Sequence, residues 1–174
     1  MTPTFLQRLD LSIRQSAPVA ITLLVAILMV VPLPLPGYME LAPDLVLIAV
    51  FYWTVHRPDL MRAWAVFLIG LLQDILGGGP LGLIALVLIL VHAAIINQHK
   101  AFRGKSFGLI WAGFMLIAPG AHIVAAVLAF IVADAHIELS TFGVRLVLTV
   151  AAYPAMAWLL GRAQRAFLAS TADE

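Results

Sequence analysis

The chain has 174 residues, of which 63% are hydrophobic and 11% charged, with a formal net charge of +1. Soluble domains carry roughly 45–50% apolar and about 25% charged residues, so a soluble fold of this composition would have a greasy exterior. The chain reads as an integral membrane protein. Its small net charge excludes a broad nucleic-acid or polyacidic surface. The absence of cysteine excludes a disulfide framework, a thiolate metal site and a cysteine nucleophile. The polar stretches between apolar segments are too short for a soluble catalytic domain.

A transmembrane helix takes about 20 mostly apolar residues. In chain order the segments are 17–35, 41–55, 63–76, 77–96, 107–133 and 142–161. The first closes at the alternating Pro32, Pro34 and Pro36, because proline cannot continue a helix. The second and third are short, and the third contains Gln73 and Asp74. A turn is expected at Gly77-Gly78-Gly79-Pro80, and Pro119-Gly120 is expected to interrupt the fifth segment. The prediction is an all-α membrane protein with six transmembrane helices, the second and third short and irregular.

Basic residues set the orientation. With six crossings, nine of the ten Lys and Arg residues fall on one face: Arg8, Arg14, Arg57, Arg62, Lys100, Arg103, Lys105, Arg162 and Arg165. Arg145 is the exception. The opposite loops carry Glu40, Asp44, Asp134 and Glu138. Both termini are therefore expected in the cytoplasm. A re-entrant hairpin in place of segments two and three would put the Arg57 loop on the wrong side. Cleavage of the first segment as a signal peptide is not expected, since no small-x-small site follows it.

Three regions are expected. Residues 1–16 form an amphipathic cytoplasmic tail, in which Phe5, Leu6, Leu9 and Ile13 recur at helical spacing. This stretch either lies in the headgroup plane or leads helically into the first span. Residues 17–165 form one six-helix membrane domain, and residues 166–174 a disordered cytoplasmic tail.

Ionisable groups inside a membrane are costly, and each requires an explanation. Asp44, after Pro43, suits an N-terminal helix cap. Asp74 falls at the C-terminal end of its segment, where the helix dipole disfavours negative charge. It requires a partner, water or a proton. Arg145 is the natural partner, and an Arg145 pair with Asp74 or Asp44 is expected to fix segment six against the short helices. His92 and His122 can each donate one hydrogen bond to a neighbouring helix, and a metal site is not expected. His136 beside Asp134 and Glu138 reads as a solvated loop cluster. The triple glycine lacks the Lys-Ser/Thr ending of a phosphate loop and is read as a turn. Gly78 and Gly82 have small-xxx-small spacing, which permits close helix approach. Trp53 and Tyr52, with Tyr38 at the other side, fit interfacial anchors. No nucleophile is accompanied by a membrane-embedded base, which argues against an enzyme.

The central block runs Ala42-Pro43-Asp44-Leu45-Val46-Leu47, then Tyr52-Trp53, Arg57-Pro58, Phe67-Leu68-Ile69-Gly70-Leu71-Leu72-Gln73-Asp74 and Pro80-Leu81-Gly82. That order and spacing resembles the rod-shape-determining membrane protein family MreD, most strongly over residues 40–100. The resemblance implies a non-enzymatic, cofactor-free component of the bacterial cell-elongation and peptidoglycan machinery in the inner membrane. Implied partners are the single-span protein MreC, the wall glycosyltransferase RodA with its transpeptidase, and indirectly MreB filaments. It also implies a fold like the substrate-binding subunits of energy-coupling-factor transporters, although fold does not carry function with it.

Two function classes follow. A scaffold would hold a partner's membrane helix, with Gly78, Pro80 and Gly82 as the first place to look. A vitamin-type transporter subunit would instead hold a small molecule in a cavity lined by Asp44, Asp74, Arg145, His122, Trp53 and Trp111.

Overall fold

The computed structural model describes residues 5–30, 42–98, 102, 104–133 and 139–168. They form six helices, with no strand among the described residues: α1 Phe5–Val30, α2 Leu45–His56, α3 Ala63–Gly77, α4 Leu83–Asn97, α5 Phe107–Ala133 and α6 Leu139–Leu168. Helix α1 runs unbroken from Phe5, so the amphipathic stretch leads straight into the first apolar segment. Helix α6 continues to Leu168, past the expected start of the C-terminal tail at 166. The remainder of that tail lies outside the described residues, as do the 32–36 proline run, Tyr38, Glu40 and the 134–138 cluster.

Helix α5 does not break at Pro119-Gly120. Its residues stay helical from Phe107 to Ala133 because one missing amide in a long apolar helix is a local loss. Membrane helices tolerate such prolines where neighbours re-satisfy the backbone. Pro18 and Pro154 sit likewise inside α1 and α6.

At 1.5 Å per residue the 12-residue α2 is about 18 Å long, well short of a hydrocarbon core about 30 Å thick. Its exposure pattern explains how so short a helix persists. Every residue from Val46 to Val55 is buried, and α1, α4 and α6 surround it. The sequence matches this position: LVLIAVFYWTV is apolar all round, as a fully enclosed helix requires. Phe51 is its anchor. Its ring packs edge-on against Phe114 of α5 at 5.1 Å, Tyr153 of α6 at 5.8 Å and Phe102 of the α4–α5 connection at 6.0 Å. Four elements therefore meet on one aromatic side chain, and such pairs add stability beyond area burial.

Helices α3 and α4 form the tightest pair. A Cβ on Gly70 would collide with the backbone of Ala85, so the two helices touch through a bare glycine. The close approach is thus made by Gly70 and not by Gly78 and Gly82, which have open space around them. Those two glycines serve the turn instead, with φ of +67° and +92°, a left-handed conformation that favours glycine.

The outer faces are apolar. Leu116 and Ile131 of α5, Trp64 and Leu68 of α3 and Val147 of α6 all stand exposed. Two helices, over Phe107–Val132 and Ser140–Ala166, are long and apolar enough by themselves to cross a membrane. An apolar exterior around a packed helical core fits a lipid environment.

Candidate functional site

The two ends of the bundle differ in chemistry. One end gathers the C-termini of α2, α4 and α6 with the N-termini of α3 and α5. Tyr52 donates to Gln164 of α6 at 3.0 Å, and the ring Nε2 of His92 lies 2.8 Å from the Met61 carbonyl in the α2–α3 loop. Arg57, Arg62, Lys105, Arg162 and Arg165 belong to this end. Arg57 donates through Nε and Nη2 to Asp59, and these bonds hold the Asp59 carboxyl below the usual carboxylate value. The other end gathers the N-termini of α2, α4 and α6, and there Asp44, Asp74, His122 and Arg145 are found.

Tyr52 and Trp53 are not interfacial anchors. Both are buried, Trp53 being 1% exposed, because α2 has no outward face. Tyr52 stacks on His56 and packs edge-on against Trp53. Trp64 and Trp158 take the exposed position instead, each 60% exposed, and Arg162 lies over the Trp158 ring at 5.1 Å. The i, i+4 spacing of Trp158 and Arg162 was the available signal.

Asp74 has a different partner from the one expected. Its carboxylate accepts three backbone amides at the start of α4: Gly82 at 2.9 Å, Ile84 at 2.9 Å and Ala85 at 3.2 Å. Helix α4 opens on a glycine with no side chain to cap it. The preceding helix supplies the cap across the 78–82 turn, and the positive end of the α4 dipole stabilises the buried charge. Asp74 is 3% exposed and makes no ion pair with Arg145.

Asp44 caps α2 through Oδ1, which accepts Leu47 N–H at 3.0 Å. Its own amide donates to Thr149 Oγ1 at 2.9 Å, and that hydroxyl donates in turn to the Arg145 carbonyl at 2.8 Å. Helix α6 is therefore fixed to α2 by a threonine hydroxyl, not by an Arg145 salt bridge. Among the described residues the one ion pair is Arg57–Asp59.

Asp44, His122 and Arg145 share a cavity of about 490 Å³ bounded by α2, α4, α5 and α6. Leu47, Val87 and Ala125 form part of its apolar wall. His122 Nδ1 lies 2.9 Å from the Ala118 carbonyl, and the ring meets Phe142 edge-on at 6.0 Å. Three residues expected in one cavity are elsewhere. Asp74 is taken up by the α4 cap, Trp53 lies in the core, and Trp111 donates Nε1 to the Val150 carbonyl at 3.2 Å. His92 meets the Met61 carbonyl while His122 lines the cavity, and no cluster of three or more His, Asp or Glu forms among the described residues. Gly78, Pro80 and Gly82 lie on the turn outside the cavity, where Gly77 to Gly79 are exposed.

A helical bundle with an apolar exterior packed around a short enclosed helix defines a helical membrane protein. The chain belongs to the rod shape-determining protein MreD family, whose sequence model matches residues 12–162, most of the chain. Membership implies a role in determining rod shape in a family of shape-determining membrane proteins. No curated protein and no solved structure matches the chain.

Proposed function

We propose that the protein is a non-enzymatic scaffold of the bacterial cell-elongation complex in the inner membrane. It crosses the membrane six times with both termini in the cytoplasm. It holds the membrane anchor of an MreC-type protein, supports the wall glycosyltransferase and transpeptidase, and reaches MreB filaments only through these partners. The family match over residues 12–162 carries this reading. The gathering of Arg57, Arg62, Lys105, Arg162 and Arg165 at one end supports the orientation, by the positive-inside rule. The two long helices α5 and α6 would set the thickness of the span. The short α2, α3 and α4 are tolerated because neighbours enclose α2 and Asp74 closes the start of α4. The arrangement akin to energy-coupling-factor substrate-binding subunits belongs to the same reading.

The turn at Gly78, Pro80 and Gly82 is the proposed contact for a partner helix. Its backbone is held from below by Asp74, and its outer surface carries Leu81, which is 72% exposed. A rigid turn with an exposed leucine offers a partner a preformed surface, which lowers the ordering cost of binding.

The test is affinity purification of the tagged protein from its native membrane in mild detergent, with mass spectrometry of what accompanies it. Recovery of a single-span MreC-type protein and wall synthases, reduced by Leu81→Asp, is the expected result. The cavity favours a second reading, a substrate-binding transporter subunit, because 490 Å³ falls in the range of ligand pockets. Recovery of ATP-binding subunits in place of wall proteins would overturn the scaffold in favour of that reading.

A further inference from the structure

The cavity at the Asp44 end has a property that packing does not explain. It holds one carboxylate and one guanidinium, and the fold keeps them apart. Thr149 ties the Asp44 amide to the carbonyl of Arg145 itself, so the two residues are close in the backbone. Their side chains nevertheless form no ion pair. Arg145 Nε is buried and has no hydrogen-bond partner among the described residues. Asp44 uses Oδ1 for its helix cap, and its second oxygen takes no hydrogen bond among the described residues. Opposite charges in a low-dielectric wall attract strongly, and a buried unmet donor is costly, so a fold that separates them leaves room for something between.

A second hollow of about 240 Å³, lined by apolar residues, adjoins this cavity, and Val87 and Ala121 line both. It runs between α4 and α5 past Leu90 and Val91 on one side and Leu116 and Ile117 on the other. These residues lie progressively farther from the Asp44 end, toward the middle of both helices. A chamber that carries Asp44, His122 and Arg145 in an otherwise largely apolar wall thus borders an apolar trough along α4 and α5.

We propose that this is a binding site for a zwitterionic phospholipid with a primary ammonium head, of the phosphatidylethanolamine type. The phosphate sits against Arg145, the ammonium against the free oxygen of Asp44, and one acyl chain lies in the trough. Charge complementarity selects this occupant. An anionic lipid would satisfy Arg145 and meet the Asp44 carboxylate unfavourably. A quaternary ammonium head would carry the right charges but no N–H to donate to Asp44. The direction of the trough selects a lipid over a free zwitterion, since a small molecule would leave it unfilled. The site does not depend on the scaffold reading, because it needs no protein partner.

The test is native mass spectrometry of the full-length protein, released from micelles doped in turn with phosphatidylethanolamine, phosphatidylcholine and phosphatidylglycerol. One phosphatidylethanolamine should remain bound, at least about tenfold more than either other lipid, as expected for one charge-assisted hydrogen bond. Arg145→Gln should lower retention by a similar factor. Asp44→Asn keeps a good helix cap and should erase the preference over phosphatidylcholine without loss of folding. Equal retention of the three lipids by the unaltered protein would overturn the proposal without recourse to any variant. So would preferred retention of phosphatidylglycerol, which would mark Arg145 as a plain anion site. Glycerophosphoethanolamine that displaces the lipid at equal concentration would show a soluble zwitterion as the occupant and overturn the lipid.

Discussion

Asp74, near the end of α3, accepts the amide of Gly82 across the turn that joins α3 to α4, at 2.9 Å. With Ile84 and Ala85 it satisfies three of the donors that open α4. One side chain thereby closes a helix, fixes a turn and accounts for a buried charge.

Removal of that carboxylate should be severe. Asp74→Ala leaves buried amides unmet and should cost on the order of 3 kcal/mol, seen as a lower midpoint in thermal or dodecyl-sulfate unfolding of the purified protein. Asp74→Asn keeps one of the two acceptor oxygens that the amides use and should cost less than the alanine variant. Equal stability of the alanine variant and the unaltered protein would exclude the capping role.

The same geometry separates Asp74 from Arg145 energetically. A double-mutant cycle with Asp74→Asn and Arg145→Gln should be additive within about 0.5 kcal/mol, as sites that share no partner are. A coupling well above that value in the same unfolding measurement would reinstate the ion pair. Thr149→Val should matter instead. It removes the acceptor of the Asp44 amide and should lower stability by about 1–2 kcal/mol.

Much of the architecture was legible in the sequence, and the reason is periodicity broken by proline, glycine and charge. The six apolar segments correspond to the six helices, and the turn at Gly77-Gly78-Gly79-Pro80 separates α3 from α4. The acid at position 74 is legible as an anomaly, whereas its partners are not. The signal was present: α4 opens on Gly82, which has no side chain to cap it, so the cap had to come from another element. Elimination of charges points Arg145 to Asp74 or Asp44, because a count of charges cannot see backbone amides as partners. Tyr52 and Trp53 mislead for a related reason. An aromatic pair at a helix end resembles an interfacial anchor unless one knows that the helix is enclosed on every side. The grouping of Asp44, His122 and Arg145 around a cavity depends on how four helices pack, which no local pattern records.

Gly70 makes a sharper demand on the α3–α4 pair than the turn glycines do. Its missing side chain is what allows the backbone of Ala85 to approach, and neither backbone can give way without separation of the helices. Gly70→Ala should cost ~2 kcal/mol, in the range of overpacked cores, and Gly70→Leu should prevent accumulation of folded protein. By contrast Gly79→Ala, where a Cβ meets open space and φ is not positive, should leave the unfolding midpoint unchanged. The three variants form a series whose order is set by backbone proximity alone. A Gly70→Ala protein as stable as the Gly79→Ala protein would mean that α3 and α4 are not in contact through this face.

The link between Tyr52 and Gln164 ties the enclosed helix to the basic end of α6. Tyr52→Phe removes the donor and Gln164→Leu the acceptor, and each should cost about 1 kcal/mol. Because the two atoms serve each other, the double variant should cost less than the sum, with a coupling of about 0.5–1 kcal/mol. The effect should appear in unfolding but leave co-purification with wall proteins intact, since the pair faces inward at the end opposite Gly78 and Pro80. Loss of partners in Tyr52→Phe at unchanged stability would place the partner contact at the basic end of α6 and move it away from the turn.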